Sequence, residues 1–69
     1  MQDLDGAWKS MTDRELVGHL VDPPSGWMWG FPKVFNPQVG ESLEQWLVRE
    51  GYPPTEIDFA LRHLRVIYT

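Results

Sequence analysis

The sequence predicts an α+β fold: a small single domain of three short helices, with an aromatic extended segment and a C-terminal strand able to pair as a two-stranded sheet. Three observations carry this. Thr12 and Ser42 each stand three places before Glu15 or Gln45, the spacing of a capping box, and Thr55 stands likewise before Asp58. Apolar residues recur at helical spacing after each of these starts. Two other stretches are strand-like. "RVIYT", residues 65–69, is β-branched and aromatic, and Trp27, Trp29 and Phe31 alternate with Met28, Gly30 and Pro32.

In chain order, residues 1–10 show no sustained period and predict a loosely ordered N-terminal arm, docked locally by Leu4 and Trp8. Residues 11–69 form the single compact domain. In the first helix Met11 packs on Leu16 as a hydrophobic staple, and Leu16, Val17, Leu20 and Val21 line one face. Pro23 ends it near Val21 or Asp22, because proline cannot continue a helix and restricts the residue before it.

The second helix opens at Ser42 and buries Leu43, Trp46 and Leu47. Gly51 stops it by taking a left-handed conformation, after which Tyr52 folds back on Leu47. A Gly-Tyr-Pro-Pro turn leads to the third helix, capped by Thr55, whose stripe is Ile57, Ala60, Leu61 and Leu64. Trp46, Leu47, Leu61 and Leu64 are the expected centre of the core.

Between the first two helices lies "PPSGWMWGFPKVFNP", Pro23 to Pro37, which holds four of the nine aromatic residues. Pro32 confines a strand here to an edge or an end, and "NPQVG" reads as a turn. A domain of this size buries only about 60% of the surface its unfolded chain exposes, so large aromatic side chains are needed inside. They also anchor protein interfaces. Alternation divides the segment between these uses: Trp27, Trp29 and Phe31 point inward, whereas Met28, Lys33 and Phe35 point outward. Because which aromatics serve the core and which an interface stays open, the candidate protein-binding residues span both sets, Trp27, Met28, Trp29, Phe31, Lys33 and Phe35, joined by Arg62 and Arg65 at the basic end.

Charge narrows the function. The net charge is −4, divided as −3 over residues 1–22, +1 over 23–40, −4 over 41–58 and +2 over 59–69. Such a balance disfavours nucleic acid, whose phosphates attract cations. No apolar run reaches the roughly 20 residues of a membrane span. The start, with Asp3 and Asp5, lacks the cationic and apolar regions of a signal peptide. Without cysteine there are no disulfides and no common zinc framework. The expectation is a soluble, cytoplasmic protein without metal or cofactor. His19 and His63 fall on separate helices and no nucleophile motif surrounds a serine, so an enzyme is not expected. A homo-oligomer stays open. The alternative from another class is a small DNA-binding regulator using residues 43–65 as a helix-turn-helix, with Arg62 and Arg65 toward phosphate. Glu56 and Asp58 at the start of its recognition helix oppose it.

At "PPSGWMWGFPK" and "WLVREGYPPTEIDFALRHL" the chain resembles small, mostly uncharacterised accessory proteins of tailed phages. These share a Gly-aromatic-x-x-Gly-Phe-Pro-Lys element and a later Gly-Tyr-Pro turn. The likeness covers about residues 11–68, with Gly26, Trp27, Gly30, Phe31, Pro32, Lys33, Gly51, Tyr52 and Pro53 at the matching positions. It implies a host-takeover protein acting in the host cytoplasm. Such a protein binds and modulates or inhibits one host protein: RNA polymerase, a transcription factor or a defence component. "REGYPPTEIDFALRHL" is also similar to the turn and second helix of ubiquitin-associated modules, from which Pro53, Pro54 and the strand-like tail depart.

Overall fold

An antiparallel sheet organises the chain. In the computed structural model, residues 2–3 and 7–68 are described, residues 2, 3 and 7 by backbone alone. β1 (Gln2–Asp3), β2 (Leu20–Asp22), β3 (Lys33–Val34) and β4 (Arg65–Tyr68) lie in the order β1-β4-β2-β3. β4 is central. It pairs with β2 through Leu20↔Ile67, Val21↔Val66 and Asp22↔Arg65, and with the two-residue β1 through Gln2↔Tyr68 and Asp3↔Ile67. β3 closes the other edge, Leu20 opposite Val34 and Val21 opposite Lys33.

Three helices complete an α+β domain: α1 (Asp13–Leu16), α2 (Leu43–Arg49) and α3 (Ile57–His63). α2 follows the sequence closely. Ser42 and Gln45 form the reciprocal capping box, and Leu43, Trp46 and Leu47 are buried. At its end the Tyr52 N–H donates to the Leu47 carbonyl and the Gly51 N–H to that of Val48, at 2.9 and 3.1 Å. Gly51 sits at φ +108°, so this closure is the left-handed one its glycine permits.

The first helix is shorter than its apolar stripe predicts. Thr12 and Glu15 make the expected box, but α1 ends after one turn, where Val17 turns extended and Gly18 takes φ +92°. Leu20–Asp22 is then a strand rather than the helix's last turn. "LVGHLV" satisfies both periods, and the long-range pairings decide between them. The Gly18 N–H donates to the Phe35 carbonyl and the Phe35 N–H to that of His19, locking the segment beside β3 while Val21 is fully buried against β4. Accordingly the partner of "RVIYT" is β2 and not the aromatic segment.

The third helix has a different start. Pro54–Glu56 forms a 3-10 turn running into α3, and Thr55 makes no cap hydrogen bond, because Pro54 begins that turn with its φ already set and no N–H to satisfy. Ile57, Ala60 and Leu64 are buried and Leu61 is half-buried against them, so the expected stripe does face the core.

Within the expected arm, Ala7–Ser10 is a 3-10 turn from which the Trp8 indole N–H donates to the Leu64 carbonyl at 3.0 Å, and Trp8 packs on the core; Leu4 lies outside the described residues. One apolar cluster unites the domain, from Leu16 and Val21 through Phe31, Phe35, Trp46, Leu47 and Tyr52 to Ala60, Leu64 and Val66. No described helix is long and apolar enough to cross a membrane.

Candidate protein-binding surface

The aromatic segment is not extended. Gly26–Trp29 forms a 3-10 turn, opened by Ser25 in the left-handed region at φ 56°. With three residues to a turn, strand alternation does not apply, and the faces differ from those expected. Trp27 and Met28 point outward, 78% and 57% exposed. Phe35, expected outside, is fully buried, its ring edge-on to Trp46 at 5.0 Å. The cause is its backbone pairing with His19, which aims the side chain into the core.

The turn is clamped from beneath. The Gly26 N–H donates to the Pro23 carbonyl at 2.9 Å and the Phe31 N–H to that of Gly26 at 3.0 Å. Gly26 is pressed so closely that an added Cβ would lie 2.7 Å from the Phe31 Cβ and 2.9 Å from the Pro23 Cγ. The Tyr52 hydroxyl donates to the Pro24 carbonyl at 3.0 Å, and burial pushes its phenol pKa up, which keeps it a donor. Trp29, half-buried, meets the Tyr52 ring edge-on at 5.0 Å. Phe31 is core, edge-on to Trp46 at 5.9 Å. The Phe31–Pro32 peptide bond is cis.

Lys33, expected to face a partner, turns inward instead. Its Nζ lies 5.1 Å from the centre of the Phe31 ring and donates to the Glu50 carbonyl at 3.0 Å and the Glu50 Oε1 at 3.1 Å. The free carbonyls at the end of α2 and the adjacent carboxylate attract it there.

Beside Trp27 runs a groove of about 450 Å³, lined also by Asp22, Pro23, Gly26, Phe31, His63 and Arg65. Partial burial pushes the Asp22 carboxyl pKa up. The His63 ring lies tilted against that of Phe59, their centres 4.6 Å apart, and Phe59 is itself 53% exposed. Arg62, also exposed, lies three residues from Phe59 on α3. The structure thus brings Trp27 and Arg65 to one groove with Met28 next in the chain. It removes Phe31, Phe35 and Lys33 from any outward set. His63 is weighed in the sequence only as a catalytic base, and Phe59 not at all, although both fall off the Ile57–Ala60–Leu61–Leu64 stripe and their four-residue spacing signals a pair on the solvent face.

Chemically this surface is an exposed indole and thioether on a rigid mount, bordered by His63, with Phe59 against it, and Arg65. Among the described residues, no group of three or more His, Cys, Asp or Glu is placed to hold a metal ion. Comparison with known proteins finds no matching family model, curated sequence or solved structure.

Proposed function

We propose that this chain is a small phage-type accessory protein that binds one protein of the bacterial host through the Trp27–Met28 turn and modulates or inhibits it. The supporting observation is the exposure of Trp27 on a turn clamped by Pro23, Gly26 and Tyr52. Leaving an indole in water forgoes the burial that a small domain most needs. A rigid mount lets that indole dock with little loss of entropy, and Trp is among the residues that dominate binding energy at interfaces. The groove lined by His63 and Arg65, with Phe59 against His63, supplies the surrounding contact area. RNA polymerase, a transcription factor or a defence component is the class of target that the resemblance implies.

Affinity capture from bacterial lysate tests this, with the unaltered chain and the Trp27→Ala/Met28→Ala variant run in parallel. The expected result is one protein retained stoichiometrically by the former and lost from the latter. Retention by both equally, or by neither, removes the proposal.

A further inference from the structure

We infer that the groove between α2 and α3 is a second docking site, which takes a Lys- or Arg-bearing amphipathic segment of a partner protein. It shares no lining residue with the groove beside Trp27 and stands independently of the function proposed above. Val48 and Pro54 supply its exposed apolar part, over the buried Ile57, and Glu44 and Asp58 its charge, around a space of about 540 Å³. Val48 is 41% exposed, on a helix whose Leu43, Trp46 and Leu47 are buried.

The cation in this groove, Arg49, is already occupied. Its Nε and Nη2 donate to the two oxygens of Glu41 at 2.7 and 2.8 Å, and its Nη1 donates to Glu50 Oε2 at 3.0 Å. A bidentate guanidinium–carboxylate pair is the geometry in which such a charge is best satisfied. Glu44 and Asp58, by contrast, make no ion pair among the described residues. Residues 41–58 as a whole carry −4.

These charges select the occupant. A wholly apolar segment would strip water from two carboxylates without replacing it. An acidic segment would be repelled by them. A segment with an apolar anchor and flanking cations covers Val48 and Pro54 while answering both carboxylates. Glu44 and Asp58 also complement the helix dipoles, since each lies in the first turn of its helix. That explains their sign but not the uncovered apolar surface between them.

The test is selection of a random 16-residue peptide display library on the full chain at low salt. Enriched sequences are expected to carry Lys or Arg flanking aliphatic or aromatic residues. Val48→Lys, which puts a cation on the groove at an exposed helical position, should weaken their binding at least about tenfold with the melting midpoint kept. Glu44→Gln/Asp58→Asn should weaken it and flatten its dependence on salt. Trp27→Ala should leave it unchanged. Should Val48→Lys fail to fold, the charge-neutral pair decides. No enrichment, enrichment of acidic or proline-rich sequences, equal binding by the variants, loss on Trp27→Ala, or competition by a second copy of this chain would each overturn the assignment.

Discussion

Replacing Phe35 and Trp27 one at a time by alanine should produce opposite results from the same short segment. The Phe35 side chain is fully buried and sits edge-on to Trp46. An aromatic side chain buries about 150 to 250 Å², and buried apolar area stabilises by about 25 cal/mol per Å², so the transfer contribution has an upper bound of roughly 4 to 6 kcal/mol. Phe→Ala substitutions in cores cost about 3 to 5 kcal/mol, which agrees. For a domain of this size the whole stability is roughly 3 to 10 kcal/mol, at about 0.05 to 0.15 kcal/mol per residue. Phe35→Ala should therefore lose a large share of the fold, or all of it. Trp27, 78% exposed, should tolerate alanine within about 0.5 kcal/mol. Urea unfolding followed by far-ultraviolet circular dichroism reads both without depending on the tryptophan signal. With a slope of about 1 kcal/mol per M, the Phe35→Ala midpoint should fall by about 3 M or the transition vanish. A Phe35→Ala midpoint close to the original, or a Trp27→Ala loss of similar size, would refute the division of the segment described above.

Three other outcomes follow from the same structure. Trp8→Phe keeps a ring but removes the indole donor to the Leu64 carbonyl, and should cost about 1 kcal/mol in the same assay; no change would mean that this hydrogen bond does not hold the N-terminal turn to α3. The Arg49 guanidinium, and then the Gln38 N–H, hold the Glu41 carboxyl below its ordinary value of 4.5. A depressed acid contributes stability that is full above that value and lost as pH falls through the lowered one, so Glu41→Gln should shallow the acid limb of stability against pH, and an unaltered limb would exclude the coupling. Titration with duplex or single-stranded DNA at low salt should give no saturable low-micromolar binding, since the net charge is −4; salt-sensitive binding in that range would favour the helix-turn-helix reading instead.

What the sequence revealed and concealed follows from where each structure is decided. α2 was legible because its capping box, apolar face and glycine stop are all local, and each acts within one or two turns. The stripe of α3 was legible for the same reason. Leu20–Asp22 was not, because it becomes a strand through partners 12 to 14 and 43 to 47 residues away, Lys33–Val34 and Arg65–Ile67, while its local pattern favours neither period. The aromatic segment misled for a related reason. Alternation of Trp27, Trp29 and Phe31 has meaning only in a strand, whereas Gly26–Trp29 is a 3-10 turn whose start leaves no room for a Cβ between Pro23 and Phe31. Pro23, Pro24 and Gly26 in "PPSG" were the local signals for such a turn. Once the turn forms, the residues placed inside by alternation separate: Phe31 goes to the core, Trp29 to the boundary and Trp27 to solvent.

The central claim is that Trp27 and Met28 form the energetic centre of a protein-binding surface. Isothermal titration of the partner obtained by capture, against the unaltered chain and Trp27→Ala/Met28→Ala, tests it most directly. Hot-spot truncations of this kind remove 2 kcal/mol or more, and the expected result is a loss of at least about thirtyfold in affinity with the urea midpoint unchanged. Affinity within about threefold of the original, in a variant that remains folded, would contradict the claim and move the interface elsewhere on the molecule.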